Sequence, residues 1–201
     1  MWLALIPSLL AAPELGVSFT PTAGLASQAG DTGLGEFDGL LRPTLTPWVS
    51  LQGEGLWRWQ LGLGGARSVV TRWDAGAWQR QAITTLRPTI EAQRPIGEQD
   101  GILPFLGVGI WGVVPIVRYT STAYGPAEQQ DARENARGTM ARLGGAGISL
   151  GGGIDIPVTD QLTVGAAARW RLWRGLDVDE DALSTSALGW GEVSLRVGVA
   201  L

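Results

Sequence analysis

The chain has 201 residues, a formal net charge of −4, 19 carboxylates and 15 basic residues, all of them Arg. This length suits a single domain, and the net negative charge provides no electrostatic footprint for nucleic acid, which we exclude as a partner. Cysteine and histidine are both absent, so disulfides, thiolate chemistry, Ser-His-Asp hydrolysis and ordinary zinc sites are excluded. We therefore expect no enzyme, no cofactor and no metal.

The N-terminal segment predicts export. Residues 1–12 form a short apolar stretch that ends in the small pair Ala11-Ala12, as a secretory signal peptide does. The alternative is a short buried strand or helix. On the first interpretation, residues 1–12 are the signal peptide and residues 13–201 are a single outer-membrane β-barrel domain. Nowhere does an apolar run of about 18 residues indicate a membrane-spanning helix.

After the N-terminal segment, apolar residues alternate with small or polar residues, which is the pattern of a half-exposed strand. In chain order the predicted strands are residues 15–28, 44–52, 57–64, 80–93, 103–124, 142–156, 162–172 and 192–201. The third is the clearest, because Arg58 lies between Trp57 and Trp59 and so requires a two-sided surface. A tilted strand of about 9 to 11 residues crosses a bilayer.

The connections between these strands alternate in length. The long ones are Ala29–Leu41, Arg67–Trp78, Gly125–Met140 and Arg174–Thr185, and the short ones are Gly53–Gly55, Pro95–Ile102 and Pro157–Gln161. In an up-and-down barrel all the long loops share one rim, as they do in outer-membrane barrels with short periplasmic turns. The sequence therefore predicts an all-β fold, an eight-stranded antiparallel up-and-down transmembrane β-barrel.

In such a barrel the apolar residues face lipid and the alternate set faces the lumen. The lumen of an eight-stranded barrel is just wide enough to be filled by side chains, and buried charges need partners. We expect Arg58 and Arg87 to lie near Glu91, and Arg169 near Glu192. The network is interpreted as structural, with a gated path for protons or small ions as the alternative. The predicted lumen charges are Arg58, Arg87, Glu91, Arg169, Arg171, Glu192 and Arg196.

Tryptophan positions suggest two further roles. Trp57 and Trp59 fall near the short-turn rim and Trp170 near the long-loop rim, where aromatic residues anchor a barrel at the membrane interfaces. Trp48 and Trp190 fall on the inward parity and are expected in the interior.

Two loops have distinctive compositions. Asp177, Asp179 and Asp181 alternate as ligands of a hard cation do, but Ala182 stands where a calcium loop has Gly and Leu188 where it has Glu. A solvated acidic loop is the preferred interpretation, with weak calcium binding as the alternative. The third long connection is polar with mixed charge, which allows a short helix or a mobile loop.

Two glycine-rich runs resemble a known family. Residues 103–112, LPFLGVGIWG, and residues 151–170, GGGIDIPVTDQLTVGAAARW, are similar to strands of small outer-membrane proteins of the OmpA, OmpW and opacity-protein type. The resemblance implies an outer-membrane location with periplasmic turns and extracellular loops. It also implies lipid and lipopolysaccharide as partners and insertion by the barrel-assembly machinery. The oligomeric state is left open.

These observations favour a structural or anchoring outer-membrane barrel, or a narrow conduit of low specificity. The rival is an exported soluble barrel that binds a small apolar ligand inside, as lipocalins do. The rival requires the opposite orientation, with Trp57 and Trp59 inside and Arg58 in water. A lipid-modifying enzyme on the same scaffold is disfavoured by the absence of His.

Overall fold

The computed structural model describes residues 13–21, 23–29, 43–52, 57–74, 77–97, 101–121, 126–175 and 187–201. The predicted signal peptide, residues 1–12, lies outside these ranges. So does most of the first and fourth long connections. The elements are β1 (Glu14–Thr20), β2 (Ala23–Ala29), β3 (Thr44–Gln52), β4 (Arg58–Asp74), β5 (Ala77–Pro95), β6 (Leu103–Ser121), α1 (Pro126–Leu143), β7 (Gly145–Pro157), β8 (Leu162–Gly175) and β9 (Ala187–Ala200).

The strands close into one antiparallel barrel. Each strand from β3 to β9 pairs with the next in sequence, and β1 joins the two ends by pairing with β3 and with β9. β2 continues along β9 beyond Pro21, with a register shift between Ala23 and Leu25, so β1 and β2 are two halves of one barrel strand. Proline has no N–H to donate to the ladder, which explains the break. The predicted eight-stranded up-and-down fold is confirmed.

The stagger of the barrel follows from its pairing register. When the paired residues are followed from Leu15 across β3, β4, β5, β6 and β7, they lead to Leu172 on β8. In the other direction, Leu15 leads through Val199 to Leu162 on the same strand. The two positions are ten residues apart, which is the shear of the barrel. Eight strands with this shear tilt by about 40°.

The predicted long loop Arg67–Trp78 is wrong. β4 continues to Asp74 and β5 begins at Ala77, and the two strands pair without interruption from Arg58 to Asp74. The physical reason is local, since Val69, Val70 and Thr71 are β-branched residues that favour extended backbone. Strands β4, β5 and β6 therefore rise beyond the last described pairs of β3 and β7. We call residues 66–74, 77–85 and 114–121 the projection.

The third long connection contains the helix α1. Pro126 occupies its first turn, where a missing N–H has no cost, and Glu128 suits the positive end of the helix dipole. Ala132 and Ala136, one turn apart, are buried, and α1 packs on β6 and β8. No helix in the described ranges has the length and apolar character to cross a membrane.

The burial of β6 shows on which side α1 lies. Val113 and Val117, which face inward, are buried, whereas the outward-facing Val114 and Ile116 remain exposed. The helix therefore lies on the inner side of the barrel wall. We call the end that holds α1 the loop rim, and the end that holds residues 158–161, Pro13 and Leu201 the turn rim.

The outer face of the barrel is an apolar belt. Trp59, Leu61 and Leu63 are 47%, 40% and 54% exposed, and the alternate residues of the same strand face inward. Between Arg94 near the turn rim and Arg67 near the loop rim, the described outward positions carry no charge. This orientation matches the membrane-barrel prediction and contradicts the soluble lipocalin-like alternative.

Candidate functional site

The lumen is the candidate site, because the described ionisable side chains that are buried all face it. Inward glycines make room for these long side chains. A Cβ atom on Gly107 would lie 2.6 Å from the Glu91 carboxylate, and one on Gly109 would lie 2.9 Å from the Ser149 hydroxyl. The alternation of small and long inward residues therefore permits charged groups to meet at the barrel axis.

The layer nearest the turn rim is built around Asp155 of β7, which is 1% exposed. Arg58 of β4 donates to Asp155 Oδ2 at 2.6 Å, and Arg196 Nε lies 3.2 Å from Asp155 Oδ1. Arg58 Nη1 also lies 3.9 Å from Glu14 Oε2. Two guanidinium groups and two carboxylates thus neutralise one another in this layer.

Aromatic rings and guanidinium groups stack in the same layer. The Arg196 guanidinium carbon lies 4.8 Å from the centre of the Trp48 ring and 5.1 Å from the centre of the Phe105 ring. The Arg58 guanidinium carbon lies 5.2 Å from the centre of the same Phe105 ring. Cation–π contacts of this kind are strongest where water is excluded. The backbone of Gly16 packs on Trp48, since a Cβ atom there would overlap the indole ring. Trp48, Phe105 and Arg196 are all buried in this stack.

The middle layer is a forked ion pair between Glu91 and Arg169. Arg169 Nε donates to Glu91 Oε2 at 2.6 Å and Nη2 donates to Oε1 at 3.0 Å. This bidentate geometry is the strong form of the Arg–carboxylate pair. Gln93 joins the middle and lower layers, because its amide donates to Glu91 at 2.8 Å while its oxygen accepts from Arg58 Nε at 2.8 Å. Gln93 also donates to Gln60 at 2.5 Å.

The layer toward the loop rim holds Glu192 and Arg171. Arg171 Nε donates to Glu192 Oε1 at 2.6 Å, and the Arg171 guanidinium carbon lies 5.2 Å from the centre of the Trp111 ring. Trp111 and Trp190 meet edge to face with their centroids 5.2 Å apart. Arg87, 6% exposed, is attracted by the Glu192 carboxylate and repelled by the Arg171 guanidinium.

A small polar cavity of about 30 Å³ lies between the middle and upper layers. Its lining includes Ser18, Thr46, Glu91, Arg171 and Glu192. A cavity of this volume holds two or three water molecules, by the rule of about 10 to 15 Å³ for each. The polar lining suits water, and the volume is too small for an organic solute.

The structure places all seven predicted lumen charges on the inward face but pairs them differently from the prediction. Arg169 lies opposite Glu192 in the backbone register, yet its side chain pairs with Glu91, and Glu192 pairs with Arg171. Arg58 pairs with Asp155 instead of Glu91. The Arg58–Asp155 and Arg169–Glu91 pairs differ from the prediction because they form across the lumen, whereas Arg171 and Glu192 lie on the adjacent strands β8 and β9.

Two members of the network, Glu14 and Asp155, are absent from the predicted set. Asp155 lies on the inward parity of its strand, and that parity was the available signal. Glu14 is the first residue of β1, where the alternation has barely begun, so the sequence offers little guidance.

The tryptophans divide between the two faces. Trp57, Trp59 and Trp170 are 41%, 47% and 41% exposed on the outer surface, whereas Trp48 and Trp190 are buried. The predicted cation loop, Asp177, Asp179 and Asp181, lies outside the described residues. Within the described ranges, no three acidic side chains are grouped so that they could hold a metal ion.

An apolar exterior, a charged interior and closed antiparallel pairing define a class of protein, the small eight-stranded barrels of outer membranes. Among solved structures the chain is similar to neisserial surface protein A, with a TM-score of 0.58 and 11% identity over 96% of this chain and 99% of that one.

Two structures from Pseudomonas aeruginosa are also similar. The N-terminal barrel domain of OprF has a TM-score of 0.48 and 11% identity over 96% of this chain and 99% of that one. OprG has a TM-score of 0.47 and 11% identity over 95% of this chain and 96% of that one. No family model and no curated protein sequence matches the chain.

Proposed function

We propose that this chain is an outer-membrane barrel whose lumen is closed by its own side chains, and that it serves as a structural or anchoring protein. The turn rim faces the periplasm and the loop rim, with α1 and the projection, faces outward. The apolar belt supports the membrane location, because exposed apolar surface of this extent is unfavourable in water. Trp57, Trp59 and Trp170 anchor the belt at its interfaces, and the barrel-assembly machinery inserts the chain.

The observation that carries the proposal is the forked Glu91–Arg169 pair, with an ion-paired layer on each side of it. An ion crossing the lumen has to separate these pairs. Removing one partner of a buried pair costs about 3–5 kcal/mol, and several pairs would have to open together. The buried charges of the lumen therefore need no further function to explain them, because they neutralise one another.

Planar bilayer recordings test this closure. Wild-type protein and the double variant Glu91→Gln/Glu192→Gln are inserted from detergent, and insertion is verified by the heat-modifiable mobility of the folded barrel in gels. We expect no conductance steps from either protein. Arg94→Gln, on the outer face near the turn rim, is the matched control. Steps from the wild-type barrel that change in the double variant and not in the control would reject the closed lumen.

The second candidate is a narrow conduit for protons, and the polar cavity between the two upper layers favours it. Glu91 and Glu192 both line this cavity, so water molecules there could join the two carboxylates. Vesicles loaded with a pH-sensitive dye test this candidate by the decay of an imposed pH difference. Faster decay with wild-type barrels than with empty vesicles, abolished in Glu91→Gln/Glu192→Gln, would favour the conduit over the wall.

A further inference from the structure

The outward face of the projection carries three arginines on three neighbouring strands. Arg67 of β4, Arg80 of β5 and Arg118 of β6 are all exposed. They share the outward parity of Val69 and Ile116, which belong to the apolar belt. The three arginines are therefore outside the lumen network and beside the belt.

The pairing register places these arginines in one triangular patch. Arg118 lies opposite Ala82, two residues along β5 from Arg80, so the two arginines are diagonal neighbours about 7 to 8 Å apart. Arg67 lies opposite Thr84, the next outward position along β5, and Thr84 lies opposite Ile116. Apolar and cationic side chains are thus interleaved on one continuous surface.

The patch has no counter-charge among the described residues. At the outward positions of the projection whose side chains the structure describes, the other residues carry no carboxylate; they are Val69, Ala82, Thr84, Val114, Ile116 and Thr120. None of the three arginines forms an ion pair with another residue that the structure describes. At the turn rim, by contrast, Arg94 is the single outward-facing basic residue of the described strands. The cationic surface therefore belongs to one end of the belt.

We propose that Arg67, Arg80 and Arg118 bind the phosphate groups of a phosphorylated glycolipid in the membrane leaflet at the loop rim. The apolar belt directly beside the patch sets the depth, because it places the guanidinium groups where lipid headgroups begin. Long Arg side chains extend from apolar surface into the polar layer while their stems stay in contact with acyl chains. Guanidinium groups match phosphate oxygens in bidentate geometry.

This inference rests on the proposed membrane location. The inference also goes beyond that location, because a purely structural barrel needs no preference among lipids. Each arginine near an anionic surface contributes about 1 kcal/mol of attraction, so the loss of three predicts an apparent affinity on the order of 100-fold weaker. High salt is expected to weaken binding by the wild-type barrel as well.

The test uses the full chain reconstituted in phosphatidylcholine vesicles, alone or with a minor fraction of bisphosphorylated lipid A. The readout is the temperature at which the folded barrel loses its compact mobility in gels. We expect lipid A to raise this temperature for wild type and not for Arg67→Gln/Arg80→Gln/Arg118→Gln. The charge-matched control is Arg94→Gln/Arg133→Gln/Arg137→Gln, whose residues are exposed at the turn rim and on α1; it should retain the full shift.

Two further arms identify the source of the phosphate. Dephosphorylated lipid A should produce no shift, and inorganic phosphate added to plain vesicles should produce none. An equal shift for wild type and the triple variant, or a shift with inorganic phosphate alone, would overturn the proposal. Failure of wild type to insert into plain vesicles would instead reject the membrane location, so the two failures are distinguishable.

Discussion

At the scale of single residues, the lumen depends on arginine geometry. All 15 basic residues of the chain are Arg, and the guanidinium group can bind a carboxylate with two parallel hydrogen bonds while its plane stacks on an aromatic ring. Arg58 and Arg196 combine an ion pair to Asp155 with a contact to Phe105. A Lys ammonium, with a compact charge, could not make both contacts in this way.

Glu91→Ala is expected to destabilise the barrel by about 3–5 kcal/mol, because it leaves the Arg169 guanidinium buried without its carboxylate. The double variant Glu91→Leu/Arg169→Met removes both charges and should recover much of this loss, since apolar replacement of a buried pair is often neutral. The measurement is the free energy of unfolding in urea, with the barrel in vesicles. A loss in the double variant equal to the sum of the losses in Glu91→Leu and Arg169→Met alone would show that the two residues are not coupled.

At the scale of elements, the alternation of apolar with small or polar residues predicts strands well and loops poorly. The outward and inward sets of β4, β7, β8 and β9 follow the predicted parity, because one face of each strand is apolar and the other is not. β6 is apolar on both faces, and only the structure shows that Phe105 and Trp111 lie on its buried, inward face. The helix α1 has an alanine face that fits closely inside the wall at the loop rim.

Ala132→Asp is expected to release α1 from β6, because it places a carboxylate on the buried face of the helix. We expect trypsin to cleave after Arg133 and Arg137 at least about ten times faster than in wild type, as the local opening free energy falls by more than about 1.4 kcal/mol. Gln130→Asp, which adds the same group on the exposed face, is the matched control. Similar cleavage rates for the two variants would contradict the docking of α1 inside the barrel.

At the scale of the whole molecule, closure and shear convert eight simple strands into a filled cylinder. Closure leaves the barrel body without a free sheet edge, and a ten-residue stagger brings residues far apart in sequence to one level of the axis. Glu91 and Arg169 are separated by 78 positions and meet in this way. In the same geometry, the outward apolar residues of all strands together form one belt.

The variants Leu150→Arg and Ile156→Arg test whether the cost of a charge in the apolar belt depends on its depth in the membrane. Leu150, 68% exposed, lies in the middle of β7, and Ile156 lies near its end at the turn rim. Arg at mid-depth should cost about 2–4 kcal/mol of folding free energy in vesicles, and near the interface about 0–1 kcal/mol. The measurement is urea unfolding in vesicles. Comparable stability of Leu150→Arg and wild type would mean that the belt does not face hydrocarbon.

The sequence by itself determined which residues face in and which face out, because alternation with period two is a local property of extended chain. It thereby determined the fold class, the apolar exterior and the inward position of all seven predicted charges. The sequence-based prediction was wrong at residues 67–78, where polar and charged residues indicated a loop but β-branched residues continue the strand.

Only the tertiary structure decided which charges pair. Glu91 bonds to Arg169 and Arg58 to Asp155 across the lumen, whereas the sequence predicted partners on adjacent strands. Partners across a barrel are set by its closure and shear, and shear is a sum of registers around all eight strands. No single strand carries that information, so the ion-pair network appears only in the closed barrel, and the arginine patch of the projection appears only once β4, β5 and β6 are paired.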